Sequence, residues 1–132
     1  MPDGNILSSG DLKPGPAGFN FHRAVLRLKD SVNATFHLHP MEGVAVAALE
    51  DGLMIVGRTV GEAFVYMERL IGACKLQTTL MATGGKIREL PEDLKRHTWE
   101  QMFARHGNQP MGGLDFKMYM RLAYKLDPGF AR

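Results

Sequence analysis

Apolar and polar positions change rhythm several times along this chain, and each change marks an element. Phe19, His22, Ala24, Val25 and Leu28 recur close to an i, i+3, i+6, i+9 stripe, which predicts a helix ended by Lys29-Asp30-Ser31. From Asn33 to His39 the period shortens to two. Ala34, Phe36 and Leu38 point one way and Thr35, His37 and His39 the other, so a strand is predicted with one apolar and one polar face. Pro40 stops that strand and suits the first turn of a helix. Residues 41–50, MEGVAVAALE, read as a short helix or a buried strand; frequent alanine, and a crossover after the preceding strand, favour the helix.

The apolar run Leu53–Val56, between Gly52 and Gly57, predicts a buried strand. Thr59-Val60-Gly61-Glu62 has the spacing of a capping box, with Thr59 as N-cap and Glu62 reaching back. The longest helix follows over residues 60–82, with Phe64, Met67, Ile71, Cys74 and the Leu80-Met81 end as its buried stripe, and Gly84 and Gly85 close it. Further helices are expected over residues 91–106, closed by Gly107, and 114–125, stopped by Pro128, with HGNQPMGG as a flexible link. Near the start, Asn5-Ile6-Leu7 reads as a short strand and GDLKPGPAG as loop. Strand, helix, strand, helix, strand and then helices argue for an α/β layer fold. Three strands are few for this much helix.

Composition narrows the field. A chain of 132 residues fits one domain, 1–132, and 45% hydrophobic with 23% charged residues is an ordinary globular balance. Residues 1–57 hold four Lys/Arg against six Asp/Glu, and residues 58–132 twelve against eight. The net charge of +2 is small, the basic residues of the second half are interleaved with acids, and no aromatic ladder accompanies them. No nucleic-acid partner is therefore expected. Cys74, the single cysteine, cannot form an internal disulfide and reads as a small core residue. No signal peptide is read in Met-Pro-Asp-Gly and its sequel, and no run of about 18 apolar residues suggests a membrane span. A cytoplasmic location is the expectation.

Candidate chemistry centres on His37-Leu38-His39. Two histidines one residue apart on a strand share a face, at the carboxyl end where open α/β sheets place ligands. Neutral imidazoles suit zinc or another divalent metal, although a catalytic zinc needs three protein donors. The alternative reading is two surface or hydrogen-bonded histidines at a strand end. His22 is expected packed and hydrogen-bonded. Tyr66, Tyr119 and Tyr124 are candidate proton donors that nothing in the sequence distinguishes. Met67, Met81, Met102, Met111, Met118 and Met120 read as adaptable packing. Thr83-Gly84-Gly85-Lys86 could be a phosphate loop but lacks the spaced glycines of one, and a helix stop fits it better.

The stretch GDLKPGPAGFNFHRAVLRLKDSVNATFHLHP resembles the first metal-ligand region of the class II aldolase/adducin family, where a Lys/Pro-rich loop leads to a helix with an early histidine and then to a strand ending His-x-His-Pro. GLMIVGRTVGEAFVYMERLIGACKLQ resembles that family's later strand and long helix, and GGLDFKMYMRLAYKLDPGFA its C-terminal end. The resemblance implies a three-layer α/β/α class II aldolase-like domain, here shortened and with a helical C-terminal part, forming homo-oligomers around a zinc-like ion. In aldolase members the ion polarises a small hydroxy-carbonyl substrate and stabilises the enediolate formed when a carbon–carbon bond breaks. His37 and His39 match the paired ligands.

Two departures weaken the enzymatic expectation. Asp51 stands where the third histidine is expected, and Gly18 stands at the position of the catalytic glutamate. The N-terminal strands and the Gly/Ser-rich phosphate loop of the aldolases are not recognised either. After Asp51-Gly52 the chain runs straight into the later strand, without an intervening block of strands. The expectation is a metal-binding lyase scaffold with impaired or no activity; the alternative is a non-catalytic oligomerisation or binding module.

Overall fold

The computed structural model describes residues 15–47, 52–86, 88–104, 107 and 109–130. The elements run α1 (Pro16–Leu28), β1 (Ala34–Leu38), α2 (Met41–Ala47), β2 (Leu53–Gly57), α3 (Val60–Ala82), α4 (Glu92–Ala104) and α5 (Gly113–Leu126). The strand read at Asn5-Ile6-Leu7 lies outside the described residues. α1 begins earlier than its apolar stripe, so Pro16-Ala17-Gly18 is helix rather than loop: Gly15 is the N-cap, and proline's fixed φ suits the first helical turn.

β1 and β2 pair antiparallel, with Ala34 opposite Gly57, Phe36 opposite Ile55, His37 opposite Met54 and Leu38 opposite Leu53. This corrects the crossover expected from sequence. A helix between two strands reads as a crossover, but α2 is a seven-residue segment that leads into an antiparallel return, and it packs against α3. β2 is also not fully buried. Leu53, Met54 and Ile55 are half-buried and Val56 is 37% exposed, because one face of the pair has less cover than the other.

The alternation in β1 decides what covers each face. On the Phe36 face lies α3, with the Phe36 and Phe64 rings 6.3 Å apart. On the Thr35/His37 face lies α1, through a 2.6 Å hydrogen bond between His22 Nδ1 and Thr35 Oγ1 and a ring contact of 5.4 Å between Phe21 and His37. Helix therefore touches both sides of a two-stranded sheet, a mixed α/β arrangement.

α3 carries the core through Ala63, Val65, Met67 and Cys74. Of its expected stripe, Met67 and Cys74 are buried, Phe64 and Ile71 half-buried, and Leu80 and Met81 are 41% and 62% exposed. Length explains the difference. A 23-residue helix spans about 35 Å, and a five-residue strand about 17 Å, so the far end of α3 outruns the sheet. α4 is described to Ala104, with residues 105–106 of the expected helix outside the described residues, and the Gly107 N–H donates to the Phe103 carbonyl at 3.1 Å. α4 meets α3 through Arg69 Nη1, which donates to Met102 Sδ at 3.9 Å, and leaves Trp99 58% exposed. No helix among the described residues is long and apolar enough to cross a membrane.

The stretch read as a flexible link contains the largest fully buried side chain, Met111, 1% exposed. Gly112 follows in the left-handed region at φ 79° and opens α5 as its N-cap. A Cβ there would sit 2.6 Å from Val65 Cγ2 and 2.8 Å from the Gly61 carbonyl oxygen. Gly112→Ala is thus expected to cost about 2 kcal/mol, from the left-handed backbone together with the overpacking. Urea denaturation checks it, and an unchanged midpoint would mean that the α3–α5 junction is looser than described.

Candidate functional site

β1 presents Thr35 and His37 on the face covered by α1, and His39 follows just beyond the strand end. The His37 and His39 rings lie side by side, their centroids 4.8 Å apart. His37 is half-buried and His39 exposed. Beneath His39 the chain returns through Gly52 at φ 76°. A Cβ on Gly52 would lie 2.9 Å from both Cε1 and Nδ1 of His39 and 2.6 Å from the Leu38 carbonyl oxygen. The bare backbone at this turn is what lets the His39 ring settle against it.

The donor chemistry partly fits a divalent ion. An imidazole holds zinc at about 2 Å from its nitrogen, so two rings with centroids up to roughly 6 Å apart can share one ion. His37 and His39 meet that limit. His22 is farther, 6.2 Å from His37 between ring centroids, and its Nδ1 is engaged by Thr35 as expected of a packed histidine. Among the described residues no group of three or more His, Cys, Asp or Glu side chains converges on one point. Asp51, read as the stand-in for a third ligand, lies outside the described residues. At Gly18, where the carboxylate is expected, an added Cβ would meet nothing within 4 Å.

A second polar cluster lies at the start of α3 and was only partly legible. Thr59 Oγ1 accepts the Glu62 N–H at 3.1 Å, the first half of the capping box. The return bond goes one residue further back: Glu62 accepts the Arg58 N–H at 2.6 Å. Its carboxylate also takes the Arg58 Nη2 at 2.9 Å, the Met111 N–H at 3.3 Å and the Tyr66 hydroxyl at 3.4 Å. Glu62 is only 3% exposed. Burial alone would raise its pKa; the Arg58 guanidinium and the two backbone N–H groups outweigh burial and hold the carboxyl below the usual range. The Tyr66 hydroxyl is pushed up by burial and by the neighbouring Glu62 charge. The capping-box spacing singled out Glu62, but no local signal could reveal Met111, 49 positions along the chain, as its partner.

The remaining candidates have structural partners. Tyr119 packs on Phe64 at 5.1 Å and Tyr124 on Phe130 at 4.8 Å, between ring centroids. Thr83 Oγ1 donates to the Leu80 carbonyl at 2.7 Å and accepts from the Gly85 N–H at 3.1 Å, which makes this segment the helix stop. Cys74 is a buried free thiol. It lines a cleft of about 660 Å³ between α2 and α3, away from the histidines.

Comparison with known proteins points to the same stretch of chain. Residues 1–54 match the family described as "Class II Aldolase and Adducin N-terminal domain". Over 52 residues the chain is 36% identical to a "Putative aldolase class 2 protein" of Caulobacter vibrioides, covering 39% of this chain and 20% of that protein. The match thus spans a fifth of the relative's length. His37 and His39 lie inside the residues 1–54 match, and α3, α4 and α5 outside it.

Proposed function

We propose, from the match of residues 1–54 to the class II aldolase/adducin family model, that this chain is a divalent-metal-binding form of the aldolase scaffold with impaired or no lyase activity. The observation that carries the reading is the 4.8 Å approach of the His37 and His39 rings at the end of β1. These two side chains would hold zinc or a similar ion, which when bound supplies Lewis-acid polarisation of a carbonyl. The chain's own contribution is to orient both rings: α1 covers His37, and the Gly52 backbone seats His39. Loss of activity follows from Gly18, which offers no side chain to move a proton at the position where the family resemblance calls for a carboxylate. The substrate class would be a small hydroxy-carbonyl compound, and the complete fold a three-layer α/β/α domain.

The test pairs zinc calorimetry with an aldol-cleavage assay on a small panel of hydroxy-carbonyl phosphates. Zinc binding without measurable turnover is the expected pair of results. Turnover that needs zinc would restore the enzyme, and absence of zinc binding would remove the metal reading.

The alternative of a binding or oligomerisation module draws on exposed apolar surface. Leu114, Met118, Leu122 and Leu126 recur every fourth residue along α5 and are 82%, 48%, 47% and 77% exposed. That ridge is suited to helix packing, and patches of this kind find partners. We therefore expect self-association even without metal. Sedimentation in EDTA at micromolar concentration checks it, and a clean monomer of 14.6 kDa contradicts it.

A further inference from the structure

We infer that α5 is a membrane-surface docking element: its exposed apolar ridge lies in the headgroup boundary of an anionic lipid layer, and a basic row beside the ridge meets the charged headgroups. The inference goes beyond the metal reading and does not depend on it. α5 has two unlike faces. Phe116 and Tyr119 set their rings 5.4 Å and 5.1 Å from Phe64 of α3, between centroids, and this face holds the helix to the fold. The outward face carries Leu114, Met118, Leu122 and Leu126, from 47% to 82% exposed. Lys117, Arg121 and Lys125, all exposed, recur with the same spacing one position before the last three of these. A basic row therefore runs along one flank of the ridge.

Charge decides what covers the ridge. Asp115, the single acid of α5, stands in the first turn on the flank away from the basic row. Among the described residues no carboxylate pairs with Lys117, Arg121 or Lys125. A second copy set on the ridge by a two-fold axis brings the same basic row with it, and like charges weaken that contact. An anionic lipid layer brings the opposite sign. Shape points the same way. The 14 residues of α5 make a straight ridge of about 21 Å, which needs no complementary pocket in a fluid surface. The long Lys and Arg stems can reach back to the headgroups while the ridge sinks. Tyr124 and Phe130, 50% and 41% exposed with ring centroids 4.8 Å apart, add an aromatic pair at the end of the helix, and amphipathic rings favour the lipid–water interface. Self-association and lipid binding thus compete for one surface, and anionic lipid is the stronger occupant.

The experiment floats the full chain, in EDTA, with vesicles of phosphatidylcholine alone or mixed with phosphatidylserine. Binding to the mixed vesicles is expected to be roughly 100-fold tighter than to phosphatidylcholine alone, since each of three cations near an anionic surface contributes about fivefold. The preference should shrink as salt rises. The triple variant Lys117→Gln, Arg121→Gln, Lys125→Gln should lose the preference. The double variant Leu114→Ser, Leu126→Ser should lose binding to both vesicles. Unchanged circular dichroism spectra show that each variant folds. Lys95→Gln with Arg96→Gln, which removes charge from α4 instead, should change neither result. Equal binding to the two vesicles, or a loss in the α4 variant that matches the α5 triple variant, would overturn the inference. Absence of binding to both vesicles would overturn it too; a lower sedimenting mass in the Leu114→Ser, Leu126→Ser variant would then assign the ridge to a second copy.

Discussion

Glu62→Ala should lower the stability of the fold by about 3 kcal/mol, the largest effect expected of any single substitution here. Glu62 is the buried acceptor at which three segments meet: the β2–α3 turn through Arg58, α3 itself, and the approach to α5 through Met111. Removing the carboxylate leaves the Met111 N–H and the Arg58 N–H without their acceptor, and a buried donor stripped of its partner costs roughly 1–3 kcal/mol. The guanidinium of Arg58 is 42% exposed, so its pairing with Glu62 is screened and adds little. Urea denaturation of the two proteins measures the difference, and a loss below 1 kcal/mol would show that water replaces the carboxylate.

The same cluster sets an acid limb. The Glu62 pKa is lowered in the folded chain, so its contribution is complete above the unfolded carboxylate value of about 4.3. It fades as pH falls through the lower folded value. Glu62→Gln should therefore flatten the loss of stability below that pH while costing stability at neutrality.

His37→Ala and His39→Ala should each weaken zinc binding by at least about 100-fold. Loss of a group that merely orients a ligand costs 10–100-fold in affinity, and each of these residues is half of the visible donor set. His22→Ala should cost less. That residue stands 6.2 Å from His37 between ring centroids and spends Nδ1 on Thr35, so it supports β1 rather than the ion. Competition with a chromophoric zinc chelator ranks the three variants. Equal small losses in all three would mean that the ion binds elsewhere.

Much of the local structure was legible because its signals are local. Pro40, the Thr59 cap and the glycines at 84 and 107 bound their elements where the chain places them. The two-residue alternation in β1 separated the histidine face from the Phe36 face, and the i, i+2 spacing of His37 and His39 foretold their adjacency. What sequence could not give depends on partners far along the chain. Periodicity identifies a strand but not its direction, so the antiparallel return of β2 onto β1 has no local signal. Met111 sits among residues typical of turns and reads as loop, yet its N–H is fixed by Glu62 and its side chain fills the core. The burial assigned to Leu80-Met81 assumed a sheet long enough to meet the whole of α3.

The central claim, a divalent-metal site held by His37 and His39, is tested most directly by following the ring nitrogens of all five histidines by long-range ¹H–¹⁵N correlation spectroscopy as zinc is added. The His37 and His39 rings should shift together to metal-bound values while His22, His97 and His106 stay in place. Shifts confined to other histidines, or no shift at stoichiometric zinc, would contradict it.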